Sequence, residues 1–331
     1  MGKKRDDLLF AGGHHARLID ERVPFHIISR VFQGRHLLRP CEQLNDIIIG
    51  VMARALDQYT SVKLYAAAFL SNHLHMMLQG ASHEVPDFIG FVKREISRRW
   101  GGDPDIQWPG SMWQEYLATA LPTQESQEKC FAYVLSQGVK ENLVERPQDW
   151  PGVHSAKAIM GNGSLVGKWF DATGYARAVD AERKKERPRQ VKRSDFIAKR
   201  TLSFMPLPAW RELSSSQRVA RGRAIIAEIT QAARAARELS GAIVAGIKRV
   251  MSVPLSHISK LTPLPWYQKR RRMICWADPR DASTQRYVAE YWCFQHEFAA
   301  ASEAYREGDV TAAFPPRSYC PVVHRRVGVA A

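Results

Sequence analysis

Residues 62–79 read VKLYAAAFLSNHLHMMLQ. Two short apolar runs, 62–70 and 74–79, flank Ser71-Asn72-His73, residue types that favour a tight reversal, so the stretch is predicted to be a β-hairpin. Side chains on a strand alternate between its faces, so His73 and His75 project from the same face. One strand thereby offers two imidazole nitrogens to a single cation. The same spacing also arises without any ligand role.

Elements on either side extend this hairpin into a sheet. Residues 22–33 (RVPFHIISRVFQ) are rich in β-branched and aromatic side chains and read as a strand. Residues 41–59 carry apolar positions at helical spacing. Residues 86–100 do so as well, with Pro86 and Asp87 as helix-starting residues. After a Gly/Pro-rich stretch at 101–110, residues 112–120 read as a fourth strand, and 123–144 run helically from Thr123, three residues before Ser126. The order β-α-β-β-α-β-α predicts an α+β fold: a four-stranded antiparallel sheet with helices on one face.

Beyond residue 160 the character changes. Gly161, Gly163 and Gly167 lead into the charged run 182–193 (ERKKERPRQVKR), and 161–200 is read as a basic linker. Residues 215–250 and 283–305 have helical composition, so 201–331 is expected to be a basic, mainly helical domain with an irregular last twenty residues. Residues 1–20 are expected to form a flexible arm, and its His14-His15 pair is given no ligand role.

The net charge of +15 is unevenly placed. Residues 1–180 hold 20 basic and 20 acidic residues, 181–200 hold 9 and 3, and 201–331 hold 19 and 10. All of the excess lies in the C-terminal part, the footprint expected of a polyanion partner such as nucleic acid. WYQKRRR at 266–272 joins two aromatics to four consecutive cations, so Lys269, Arg270, Arg271 and Arg272 are candidate phosphate contacts, as is Lys185 in the earlier run. Five scattered cysteines without a CxxC pair argue against a disulfide framework or a zinc cage. No run of eighteen apolar residues is present and the N-terminus lacks a signal-peptide pattern, so a cytoplasmic protein with no membrane partner is expected.

Tyr133 lies in FAYVLSQGV, and Gln137 follows four residues later on the same predicted helix face. An amide oxygen suits a hard divalent cation, so one helix could supply a nucleophile and a third ligand together. Core packing for the tyrosine and surface exposure for the glutamine are the alternatives. Trp108, Trp113 and Tyr116 are candidates for stacking unpaired bases, with Trp113 retained as a DNA contact beside Arg30 of the first strand. His26 and Arg30 share an alternation that could bring them towards the same place.

Four stretches in order resemble one family. AFLSNHLHMMLQ is similar to the histidine-hydrophobe-histidine motif of the HUH endonucleases, and more narrowly to the single-tyrosine single-strand-DNA transposases and REP-associated tyrosine transposases. FHIISR resembles that family's first strand, and FVKREISRRWG with WPGSMWQEYLATAL resembles its second helix and fourth strand. YVLSQGVKENLVERPQDWPGVHS resembles its tyrosine signature. The chain departs from the family where Ser71 replaces a proline, where Gln137-Gly138 replaces Asn-Pro, and where Asn142 stands at a common glycine, a position an αL turn tolerates.

The resemblance covers residues 22–155. It implies a ferredoxin-like HUH domain over 21–160 and a magnesium or manganese ion held by His73, His75 and Gln137. It further implies attack by Tyr133 on hairpin-bearing single-stranded DNA through a 5′-phosphotyrosine. A bacterial, nucleoid-associated setting and a possible homodimer come with it. Two other readings stay open: a domesticated endonuclease of chromosomal hairpin repeats, and a non-catalytic nucleic-acid-binding protein on the same fold.

Overall fold

The computed structural model describes residues 9–11, 16–101, 106, 112–161, 163–187, 189–258 and 272–318. Its centre is the predicted sheet. Strands β1 (Phe25–Val31), β2 (Lys63–Leu70), β3 (His73–Gln79) and β4 (Trp113–Ala120) are ordered β2-β3-β1-β4, and every pairing is antiparallel.

Helix α1 (Glu42–Gln58) is capped by Cys41, whose sulfur accepts from the Leu44 amide at 3.4 Å. It buries Leu44, Ile48, Val51, Met52 and Ala55 along one stripe. Helix α2 (Glu84–Trp100) does the same with Val85, Phe88, Ile89, Val92 and Ile96. Both stripes share a core with Leu74, Met76 and Leu78 of β3 and with Phe25, Ile27 and Val31 of β1. Each such side chain contributes roughly 1.5–3 kcal/mol of burial. The intervening residues of β3 therefore point to the opposite face, where Met77 shares a second cluster with Cys130, Phe131 and Val134 of helix α3 (Gln124–Leu135). Helices α1 and α2 cover one face, as expected, and α3 crosses the other.

The region read as a linker is a folded layer. Helix α4 (Ser155–Met160) leads into strand β5 (Ser164–Phe170), which pairs along its length with β6 (Ile197–Ser203) around helix α5 (Ala172–Arg183). The β5–β6 pair lies against α1, with the Gly50 and Gly167 backbones at the crossing. A Cβ on Gly50 would lie 2.0 Å from the Lys168 carbonyl oxygen, and one on Gly167 would lie 2.5 Å from Ile49 Cβ. Leu202 is fully buried, and Trp169 stacks on Phe91 of α2 (6.4 Å, 20°) with the Arg99 guanidinium 3.8 Å over its ring. The charge that suggested a linker is confined to the end of α5 and the loop after it.

The C-terminal region does not form a core apart from the sheet. Helix α6 (Ser215–Ser240) begins with a capping box between Ser214 and Gln217 and buries Ile225 and Ile226 in the α3 cluster. The helix expected over 215–250 stops at Gly241 (φ +67°), and after Gly246 (φ +82°) a short α7 (Ile247–Ser252) follows. Helix α8 (Ala282–Arg306) adds Tyr287, Val288, Tyr291 and Phe294 to the main core, with Tyr287 edge-on to Phe25 at 6.4 Å. The expected N-terminal arm is also tied down where it is described. Leu18 and Ile19 are buried, and Gln295 of α8 brackets Ala16 through both of its backbone groups (3.1 and 2.7 Å).

Replacing Gly50 with Ala should destabilise the protein by roughly 1–3 kcal/mol in chemical denaturation, because backbone must shift to admit the methyl group. Gly90→Ala on exposed α2, where a Cβ meets nothing within 4 Å, should be neutral or stabilising by about 0.5–1 kcal/mol. Equal effects at the two sites would contradict the packing of the β5–β6 pair on α1.

Candidate nucleophile and metal site

On the α3 side of the sheet, the alternation of β3 delivers His73 and His75, and the register of β1 places His26, Ile28 and Arg30 opposite Met77, His75 and His73. His26 Nε2 lies 3.0 Å from His75 Nδ1, with the two rings stacked at 5.1 Å and 11°. His73 Nδ1 lies 2.6 Å from Asn72 Oδ1, and Asn72 Nδ2 donates to the Gly34 carbonyl at 3.3 Å. That second bond fixes the amide orientation, so His73 Nδ1 must be the donor and its Nε2 keeps the lone pair.

Tyr133 approaches from α3, whose start is set by the reciprocal Thr123–Ser126 capping box. Its half-buried ring stands nearly perpendicular to His26 (5.7 Å, 81°) and His75 (5.6 Å, 83°). Lys140 Nζ donates to the phenol oxygen at 3.0 Å and sits 4.1 Å from the ring centre, while also lying 3.4 Å from Glu141. Helix α3 ends earlier than expected, because Gly138 turns the chain at φ +85°. Gln137 therefore belongs to the turn rather than the helix. It is fully buried; its Nε2 donates to the Tyr133 carbonyl at 3.0 Å, and its Oε1 has no hydrogen-bond partner. Asn142 adopts the αL conformation anticipated for it (φ +53°).

Burial pushes His26 and His73 down to about 4, helped at His26 by the Lys140 charge and at His73 by Arg30 and Lys140, with the Gln137 amide pulling His73 the other way. His75 is lowered well below the ordinary histidine value by burial and by the neighbouring His26 and His73. All three imidazoles are thus neutral at pH 7, the state in which a ring nitrogen can bind a metal. Among the described residues no group of three or more His, Cys, Asp or Glu side chains is placed to hold a metal ion. The donor set converging here is two imidazoles and one amide oxygen, and the orphaned Gln137 Oε1 fits a hard cation.

The structure brings His73, His75, Tyr133 and Gln137 together, with Arg30 exposed on the neighbouring strand. Trp113 is corrected: it is buried, its indole N–H donates to the Lys93 carbonyl at 3.0 Å, and it offers no face to a base. Tyr116 carries the Arg17 guanidinium 4.2 Å over its ring. Lys185 is ion-paired with Glu182 at 2.6 Å in the loop between β5 and β6, on the pair that packs against α1. Arg272 approaches Glu115 at 3.5 Å. Lys269, Arg270, Arg271, Trp108, His14 and His15 lie outside the described residues. Sequence reasoning assigned no role to Lys140, Asn72 or Trp276, and left His26 open. Lys140 carried no periodic signal, because it lies past the Gly138 turn and outside α3.

No family model and no curated protein matches the chain. A search of solved structures finds a REP-associated tyrosine transposase bound to a REP hairpin, at 13% identity and TM-score 0.36, covering 42% of this chain and 81% of that one. It also finds a Deinococcus radiodurans R1 chain described as a transposase, at 17% identity and TM-score 0.26, covering 38% and 96%. The chain is similar to these transposase structures. Among the described residues no helix is long and apolar enough to cross a membrane.

Burial of neutral histidines also sets a pH dependence. His154, fully buried between β2 and α3, is pushed down to about 3 by desolvation, beside the nearby Lys157 charge. The folded pKa values of His26, His73 and His154 lie below the ordinary 6.5, so as pH falls the unfolded chain takes up protons first. Their contribution is complete above about pH 6.5 and is lost between there and about pH 4 for His26 and His73, and about pH 3 for His154, at up to about 1.4 kcal/mol per pH unit per group. Denaturation midpoints should fall over that window, less steeply in His154→Gln. An identical slope in the variant would show that His154 is not held neutral.

Proposed function

We propose that the chain is a metal-dependent enzyme that cuts and rejoins single-stranded, hairpin-bearing DNA, a transposase-like activity with Tyr133 as nucleophile. The observation that carries this reading is the meeting of the Tyr133 ring with neutral His75, which lies against neutral His73, beside a buried amide oxygen that has no partner. A purely nucleic-acid-binding protein needs none of these.

His73 Nε2, His75 Nε2 and Gln137 Oε1 would hold magnesium or manganese. Such an ion, when bound, withdraws charge from the phosphoryl oxygens and fixes the phosphate for in-line attack. For His75 to offer Nε2, its Nδ1 must carry the proton, and neutral His26 accepts it; Asn72 does the same for His73. Tyr133 Oη forms a bond to phosphorus and loses its proton, while the bond to the 3′ oxygen breaks and that oxygen leaves protonated as a 3′-hydroxyl. The product is a 5′-phosphotyrosine. Attack by a 3′-hydroxyl reverses these changes and rejoins DNA without ATP, because the phosphodiester energy is retained in the link. Lys140, donating to Oη, stabilises negative charge on that oxygen in both directions. The substrate class follows from the four-stretch resemblance, and the basic C-terminal part supplies the charge a polyanion requires.

Labelled single-stranded DNA carrying the hairpins that flank this gene should give a magnesium-dependent covalent adduct on a denaturing gel, abolished by EDTA. Tyr133→Phe should reduce the adduct by a factor on the order of 1,000 or more with hairpin affinity little changed. An adduct surviving in that variant would place the nucleophile elsewhere. Lys140→Ala should slow single-turnover adduct formation roughly tenfold to hundredfold, with Lys140→Arg intermediate; an unchanged rate would remove Lys140 from the chemistry.

A further inference from the structure

The last third of the chain returns to this site. Residues 272–276 run along the end of β4, where Thr119 Oγ1 donates to the Met273 carbonyl (3.0 Å), the Ala120 amide donates to the Ile274 carbonyl (2.9 Å), and the Trp276 amide donates to the Ala120 carbonyl (3.0 Å). On its other side the Ile274 amide donates to the Leu9 carbonyl at 2.9 Å. Ile274 and Cys275 are both buried in the main core, so the segment cannot slide without exposing apolar side chains.

That anchorage delivers the indole of Trp276. Its ring centre lies 5.4 Å from that of Tyr133, with the planes at 83°, and 6.0 Å from that of His26 at 45°. Tyr133 is thus met by His26, His75 and Trp276, each nearly perpendicular to its ring, while Lys140 lies over the ring and bonds to its hydroxyl. A tyrosine on a helix has two side-chain torsions to fix. The histidines limit it from the sheet, and Trp276 supplies a wall that α3 and the sheet do not. Reaction at phosphorus needs the attacking oxygen within about 3–3.5 Å of its target, and small misplacements are costly.

We propose that Trp276 is a positioning residue for Tyr133, so that segment 272–276 of the C-terminal region is a component of the catalytic site. This rests on Tyr133 being the nucleophile. Trp276 packs the phenol ring against the histidine pair and keeps its hydroxyl beside Lys140. Activity is thereby made dependent on the strand-like anchorage of segment 272–276 to Leu9 and β4, and that segment itself lies outside the stretches resembling the transposases.

The test uses the full chain with a fluorotyrosine at position 133, as native and as Trp276→Ala and Trp276→Phe. Fluorine NMR, which needs neither DNA nor activity, should show the resonance displaced in Trp276→Ala and largely restored in Trp276→Phe. Single-turnover adduct formation should fall roughly tenfold to hundredfold in Trp276→Ala, with hairpin affinity nearly unchanged and the chain still folded at the assay temperature, and with partial recovery in Trp276→Phe. An unmoved resonance overturns the proposal, and so does a rate loss that merely follows affinity or thermal stability. If the native chain forms no adduct, the reading of Tyr133 as nucleophile fails; a displaced resonance then still establishes that Trp276 holds the ring.

Discussion

The site depends on the two-residue alternation of strand β3. Leu74, Met76 and Leu78 are fixed in the α1–α2 core, so the residues between them have to face α3. A one-residue slip would bury imidazoles among leucines and expose the apolar set. The pairing with β1 carries the same constraint onto His26 and Arg30, and it puts His26 within hydrogen-bond distance of His75. The histidine cluster is therefore held by the same hydrophobic burial that holds the sheet.

Burial then determines what the cluster can do. Desolvation makes protonation costly at His26, His73 and His75, so the rings remain neutral and retain lone pairs. Asn72 fixes the tautomer of His73, and His26 is placed to fix that of His75. Gln137, bonded through its nitrogen to the Tyr133 carbonyl, couples its amide oxygen to the backbone of the proposed nucleophile. Lys140 adds a cation at the phenol oxygen without a carboxylate in the donor set, an arrangement suited to an anionic phosphodiester.

Much of this was legible in the sequence because it is local. The period of β3 gave the histidine pair, the Thr123–Ser126 spacing gave the start of α3, and Asn142 in place of glycine correctly marked an αL turn. Failures came where tertiary contacts override local pattern. The run 182–193 reads as a linker, yet Trp169 and Leu202 on either side of it are packed onto α2 and α1, and two glycines let the backbones meet. Trp113 reads as a base platform and is core. Gly138 shortens α3 by a turn that helical composition conceals. Trp276 lies more than 140 residues beyond Tyr133 in the chain, and nothing in its surrounding sequence announces a contact made through β4.

Diffraction from crystals soaked in manganese, recorded at a wavelength where that metal scatters anomalously, tests the central claim most directly. The account predicts one strong peak bound by His73 Nε2, His75 Nε2 and Gln137 Oε1, beside the Tyr133 hydroxyl. Saturating manganese that leaves these three atoms without a peak, or binds at other residues, would contradict it.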